Sequence, residues 1–291
     1  MNNNYIRKIL FSISNSLLPK KCGVQSWSYM GTFIKSKQPF MAARLGAVEI
    51  KAILYMKYPL LRFVLRKYVQ KNMERNAGFF PVTKQSLLEF GKLSITEMQN
   101  IDILFSWRPE ELFLKKELLT SYKASFDDTN IHPECDGFWT KYLVGKKVLV
   151  IHPFAVTIEQ QYKNNRTKLF SRTDFLPEFK SLTTIKAVQS IAGNRAGFES
   201  WFDALDYMKK EIDHKDFDIA LIGCGAYGFP LAAYIKQKGK QAIHLGGVLQ
   251  LYFGIKGKRW DDWGIYNEYW VSPNEMEIPQ GAEKVEDGCY W

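Results

Sequence analysis

Gly223, Gly225 and Gly228 stand in G-x-G-x-x-G spacing within the segment DIALIGCGAYGFPLAAYIKQKGKQAIHLGG. An apolar run precedes them, a helical pattern follows, and a second apolar run comes about 20 residues on, the context such a turn needs. Glycines let the chain turn tightly and bring backbone N–H groups against a phosphate, where the positive end of the next helix adds to the attraction. The motif therefore points to a phosphate or nucleotide. A tight turn without a ligand is the plain alternative. A nicotinamide site needs an acid at the end of the second strand to take a ribose hydroxyl, and His244 stands there. S-adenosylmethionine sites usually carry an acid just before the first glycine, where this chain has Ile222.

Arg44-Leu45-Gly46-Ala47-Val48-Glu49 falls where an expected strand, 40–45, runs into an expected helix, 47–58. Groups at the carboxyl end of a strand face the ligand crevice of an open α/β sheet. The arginine fork suits a diphosphate because it meets two oxygens at once. Glu49 could hold a divalent cation, bond a sugar hydroxyl or act as a base; a surface Arg–Glu ion pair is the simpler reading. His152 ends the strongest middle strand, 147–151 (KVLVI), and so reaches the same edge. It could move a proton or bind phosphate or metal. Arg166, after Gln160-Gln161-Tyr162, is a further candidate for anion contact, and Arg259-Trp260-Asp261, beside Lys256 and Lys258, offers cations and a ring that suit a sugar or a solvated loop. No Ser–His–Asp arrangement, H-E-x-x-H pair or P-loop lysine motif is evident.

The elements that must carry these residues alternate. Expected strands at 40–45, 101–106, 147–151, 182–189, 218–222 and 241–245 are separated by helical patterns at 47–58, 83–99, 198–212 and 230–237. In the helix at 198–212, Trp201, Leu205 and Met208 share a face. Strands separated by helices predict an α/β fold with a mostly parallel sheet and helices on both faces. The last forty residues, with Trp260, Trp263, Tyr266, Tyr269 and Trp270, read as an aromatic-rich C-terminal wrap. The division expected is a basic segment, 1–38, and one domain, 39–291.

Charge is uneven. Fourteen basic residues and two acids, Glu49 and Glu74, lie in the first 75 positions, while the other 216 hold 26 basic and 28 acidic residues. An anionic partner for that first quarter follows: lipid head groups, a phosphorylated carrier or nucleic acid. Pro59 can open a helix with Leu61, Val64, Leu65 and Tyr68 as an apolar stripe beside the basic pairs Arg62/Arg66 and Lys67/Lys71. The stripe either faces the core or lies on an anionic membrane. No nucleic-acid-binding signature is present. Arg7-Lys8 before Ile9-Leu10-Phe11 resembles a signal peptide, but Ser12, Ser14 and Ser16 interrupt it, so a short amphipathic segment and a cytoplasmic protein are expected. No run of about 18 apolar residues suggests a membrane span. The four cysteines are far apart, which fits a reducing compartment.

The pairing of R-x-G-x-x-E near an early strand with a late LIG-x-G-x-x-G-x-x-LA…G-x-x-AI-x-x-G resembles the GT-D type of bacterial glycosyltransferase. KVLVIHPF at 147–154, the segment 246–260 and VEDGCYW at 285–291 resemble uncharacterised proteins of that group associated with surface-polysaccharide synthesis. The resemblance runs from about residue 40 to the end. It implies a Rossmann-like fold, a nucleotide-sugar donor (a UDP-sugar first) and a divalent cation, Mn²⁺ or Mg²⁺, near a D-x-E motif. That motif falls on Ala47-Val48-Glu49, so only its second acid is kept, and Glu49 is left as the metal ligand.

The expectation is a glycosyltransferase acting on a glycan or lipid-diphosphate acceptor, peripheral to the inner face of the membrane, with a homodimer left open. Arg44, Gly46, Arg166, Gly223, Gly225, Gly228 and His244 would hold donor or phosphate. Glu49 and His152 are the catalytic candidates, and Arg259, Trp260 and Asp261 would meet acceptor or sugar. Its rivals are an S-adenosylmethionine or NAD enzyme using the same glycine turn, and a non-catalytic polysaccharide-assembly protein.

Overall fold

The computed structural model describes residues 23–119 and 121–291, so the expected amphipathic segment at Arg7–Phe11 lies outside the described residues. In chain order the main elements are α1 (Val24–Ser36), β1 (Phe40–Ala43), α2 (Ala47–Lys57), α3 (Arg62–Arg75), α4 (Lys84–Glu97), β2 (Ile103–Ser106), β3 (Tyr122–Ser125) and β4 (Lys147–His152). Then come α5 (Ala155–Asn165), β5 (Ser181–Lys186), α6 (Trp201–Asp213), β6 (Ile219–Ile222), α7 (Gly228–Gln237), β7 (Gln241–His244) and the short α8 (Leu249–Tyr252).

The seven strands form one sheet in the order β3-β2-β1-β7-β6-β4-β5, and every pairing is parallel. Starting at β1, the chain steps outward to β3, crosses to β4 on the other side, steps out to the edge strand β5, and then returns through β6 to β7 beside β1. The winding reverses at the β1/β7 junction, which is where an open parallel sheet leaves a crevice.

Side-chain alternation along the strands fills two cores. Met41, Ala43, Leu149 and Ile151 point into one with α2, α4, α6 and α7, while Phe40, Ala42, Val148 and Val150 point into the other with α1, α5 and the C-terminal segment. Helix starts follow from local capping. Thr83 and Ser86 form a reciprocal cap on α4, and the Ser200 side chain accepts from the Asp203 N–H at the start of α6. Helix α6 buries Trp201, Ala204, Leu205, Met208 and Ile212, a stripe at helical spacing, and Trp201 stacks flat on Tyr227 at 4.9 Å, which ties this helix to the glycine turn.

Helix α1, within the expected basic segment 1–38, buries Trp27, Met30 and Ile34 in the second core and is tethered by Asp128, which accepts from the Gly23 N–H at 2.8 Å and the Ser26 hydroxyl at 2.5 Å. Two expectations change. The stripe on α3 divides: Leu65 packs against the first core beside the buried Val69 and Met73, whereas Leu61, Val64 and Tyr68 are exposed. In the wrap, Trp260 and Trp270 are buried as expected, but Trp263 remains 43% exposed.

Candidate active site at the carboxyl ends of the strands

A cavity of about 450 Å³ opens over the carboxyl ends of the sheet. All seven strands supply it: Arg44 just past β1, Trp107 past β2, Phe126 past β3, His152 on β4, Gln189 past β5, Gly223 past β6 and His244 on β7. Glu49 and Gly225 line it too, so the N-terminal Arg–Glu corner and the C-terminal glycine bend share one space. The segment 285–291 closes a further side through Glu286, Tyr290 and Trp291.

The three glycines of the turn are needed for three different reasons. A Cβ on Gly223 would lie 2.7 Å from the Gly246 carbonyl oxygen and 2.7 Å from the His152 ring, so the backbone can pass there only bare. Gly225 has φ +57° with open space around it, a left-handed conformation that glycine adopts without strain. Gly228 sits on α7 under the His244 imidazole, which a Cβ would overlap. Gly228 therefore seats the helix against β7 and does not line the cavity, unlike the donor contact expected of it.

Arg44 is half-buried in the cavity wall. Its guanidinium lies 5.1 Å from the Trp107 ring and 5.0 Å from the Phe126 ring, and these two rings stack on each other at 4.9 Å. Burial lowers its pKa, with Arg259 adding to the shift and Tyr290, Glu49 and Glu286 opposing it. A guanidinium stays charged regardless. Glu49 lies in the first turn of α2, and its carboxylate folds back over Gly46, where a Cβ would collide with it. Burial raises its pKa, opposed by hydrogen bonds from the backbone of Glu49 and Val48 and by the charge of Arg44. Arg44 and Glu49 form no ion pair within 4.0 Å, so the surface-pair reading does not hold. Facing them, Arg259 donates to the Tyr290 hydroxyl at 2.8 Å and pairs with Glu286, and burial pushes the Tyr290 phenol up to about 12.

Both histidines of the cavity are neutral. Burial lowers His152 to about 3, and burial together with the charge of Arg44 lowers His244 to about 3. The Phe154 N–H donates to Nδ1 of His152 at 3.0 Å, which leaves the ring proton on Nε2. His152 is thus a hydrogen-bond donor at its open nitrogen, and the base expected of it is not available there.

Other candidates fall elsewhere. Arg166 ends α5 away from the cavity, donating to the Leu176 carbonyl at 3.3 Å and lying over the Tyr162 ring. Trp260 is buried edge-on against Tyr290, and Asp261 is exposed; of that loop only Arg259 lines the cavity. Trp107, Phe126, Gln189, Gln250, Glu286, Tyr290 and Trp291 also line the cavity, and none stands in a motif that singles it out by itself. Trp107 and Phe126 each directly follow a strand end, a signal for Phe126 only once β3 is recognised.

Ten buried side-chain polar atoms among the described residues lack a hydrogen-bond partner. Five of them, Arg44 Nε, Gln189 Oε1, His244 Nδ1, Gln250 Oε1 and Trp291 Nε1, belong to residues that line this cavity. Each such atom costs about 1–3 kcal/mol, so their concentration here marks a place built for a polar ligand. The donor set for a divalent cation is thin: Ala47 brings no acid, Glu49 is turned onto its own helix terminus, and Glu286 is engaged by Arg259. Hard cations want six or more oxygen ligands, and these residues do not fit one held by the protein alone.

No family model matches the chain, and no curated protein matches it. Three solved structures are similar to it. One is a selenomethionine-substituted domain of unknown function 1792, 14% identical, covering 94% of this chain and 93% of that one with a TM-score of 0.47. A second, described as a domain of unknown function 1792 with a distinct glycosyltransferase fold, is 14% identical over the same shares with a TM-score of 0.46. The third, described as a new glycosyltransferase (DUF1792) from Streptococcus sanguinis, is 13% identical, covering 89% of this chain and 96% of that one with a TM-score of 0.41.

Proposed function

We propose that the chain is a glycosyltransferase whose cavity holds the diphosphate of a nucleotide-sugar, UDP-linked in the first instance. The observation that carries this reading is the convergence of Arg44, Arg259 and the Gly223–Gly225 turn on one cavity that also contains a carboxylate, Glu49. Two cations and a glycine bend suit a diphosphate. The stacked Trp107/Phe126 pair offers an aromatic wall to a planar base. Neither rival cofactor finds its acid: β7 ends in His244 and β6 in Ile222.

In the reaction, the acceptor hydroxyl oxygen bonds to the anomeric carbon as the bond from that carbon to the diphosphate oxygen breaks. The electron pair leaves with the diphosphate, and Arg44, Arg259 and the Nε2–H of His152 stabilise the added charge. The hydroxyl proton passes to Glu49, whose carboxylate burial makes more basic than usual. A bound divalent cation would supply further charge to the diphosphate, which brings oxygens of its own; no step here requires one. The acceptor is a glycan or lipid-linked hydroxyl of bacterial surface-polysaccharide synthesis.

A ligand panel read by thermal shift tests the donor. UDP and UDP-sugars should raise the melting temperature, whereas a shift from S-adenosylmethionine or NAD alone would overturn the reading. Glu49→Gln should then abolish transfer while leaving UDP binding intact. Unchanged transfer in that variant removes Glu49 from the chemistry.

A further inference from the structure

Helix α3 opens on a cap of apolar side chains that nothing among the described residues covers. Leu60 is 93% exposed, Phe63 94% and Val64 75%, with Leu61 beside them. Phe113, also exposed, adjoins this cap through Tyr58, whose ring it meets at 6.3 Å. An isolated exposed ring is ordinary, but a contiguous cluster of large apolar groups on one helix end marks an interaction surface.

Cations surround the cap. Arg66, Lys67 and Lys71 follow on α3, Lys115 and Lys116 lie on the turn after Phe113, and all five are exposed. None has an ion-pair partner within 4.0 Å among the described residues. No acid occurs between Lys57 and Lys71. Leu60, Phe63/Val64, Lys67 and Lys71 recur at three- and four-residue spacing, so apolar tip and basic flank present themselves on one side.

We infer that this end of α3 docks the protein onto an anionic lipid surface, with Leu60, Phe63 and Val64 inserted at the head-group level and the lysines and Arg66 meeting lipid phosphates. Charge selects this occupant. A second copy would bring the same five cations against these five across a two-fold axis. The chain's own residues 1–22 carry Arg7, Lys8, Lys20 and Lys21 and no acid, so they bring no counter-charge for the patch. An anionic bilayer accepts both the apolar tip and the cationic rim. The placement also serves the cavity. Helix α3 runs 14 residues, about 20 Å at 1.5 Å per residue, from the patch to Asn76, which lines the cavity. A lipid-linked acceptor held at the membrane would thus lie within a short reach of the site. The docking itself does not depend on the glycosyl-transfer reading.

Flotation of the full chain with phosphatidylcholine vesicles, with and without phosphatidylglycerol, tests the inference. The protein should float with the anionic vesicles and not with the neutral ones. Leu60→Ser/Phe63→Ser and Lys67→Glu/Lys71→Glu should each weaken binding roughly tenfold or more. Because these side chains are exposed, the melting temperature and its shift by UDP should not change. Absence of binding to anionic vesicles at low salt, or equal binding by wild type and both variants, overturns the inference. So does a dimer in light scattering that Leu60→Ser/Phe63→Ser dissociates, since the patch would then be a subunit contact. The UDP shift, measured in the same samples, keeps failure of the donor reading separate.

Discussion

His152→Asn tests whether the histidine beside the glycine turn is held neutral. The asparagine Oδ1 replaces Nδ1 as acceptor for the Phe154 N–H, so the local hydrogen bond is kept while the titration is removed. His152 titrates at about 3 in the folded protein against 6.5 in the unfolded chain. Between those values the unfolded state binds the extra proton, so this group makes folding less favourable as pH falls below 6.5. At pH 5 the loss is about 2 kcal/mol, and at pH 7.5 it is close to zero. Glu49, Glu111 and Asp128, all raised by burial, act in the opposite direction, because the folded state takes their protons first. They are common to both proteins and cancel in the comparison. Urea unfolding at steps from pH 7.5 to 5 should therefore show the wild type losing about 2 kcal/mol relative to His152→Asn. A difference that stays constant with pH would mean the imidazole is readily protonated in place. The neutral donor role would then fail, and His152 would return as a candidate base.

The glycine turn separates crowding from strain: Gly223→Ala, which must push aside the Gly246 carbonyl, should cost about 1–3 kcal/mol in urea unfolding and weaken UDP binding. Gly225→Ala, with open space around it, should show backbone strain alone, about 1–2 kcal/mol. Arg44→Ala should weaken UDP roughly 10- to 100-fold by calorimetry, as loss of a charged hydrogen bond does, and Arg44→Lys should not restore it, because a lysine cannot present the planar fork over Trp107 and Phe126. Since the protein contributes few cation ligands, EDTA should change UDP affinity by less than about threefold, and a loss of about 100-fold would show that the diphosphate and Glu49 together hold a metal.

The sheet was legible because its strands are buried on both faces and read as apolar runs between helical patterns. KVLVI and DIALI needed no tertiary context. β3 was missed for the opposite reason. Tyr122–Ser125 is a four-residue edge strand with one buried residue, Ala124, and no apolar run. Its loss hid Phe126, half of the aromatic pair. Helix α1 was hidden by charge, since Lys35 and Lys37 placed it in a basic segment while Trp27, Met30 and Ile34 carried the real message at helical spacing. That Gly223, Gly225, Arg44 and Glu49 share one cavity was legible because strand ends converge in any parallel sheet. Arg166 was misplaced because distance along a helix says nothing about the side of the molecule it reaches. Tyr290 and Glu286 lie more than two hundred residues from Arg44, and only the docking of the last segment brings them together.

The arrangement of charge explains why the cavity should respond strongly to an anion. Arg44 and Arg259 both act on the same space, and Arg259 makes the charge of Arg44 harder to hold. Glu286 compensates Arg259 directly, but Arg44 has stacked rings and distant carboxylates and, among the described residues, no ion-pair partner within 4.0 Å. Glu49 does not close the gap because the terminus of α2 already claims its carboxylate. Two cations kept near each other beneath a low-dielectric wall are favourable only when a counter-charge lies between them. A diphosphate supplies that charge, and its oxygens can also meet the backbone at Gly225 and the donor nitrogen of His152. Acids at the corner would instead neutralise the arginines before any ligand arrived. On this argument the alanine at position 47 is consistent with the rest of the site: a corner that relies on arginines gains nothing from a second carboxylate.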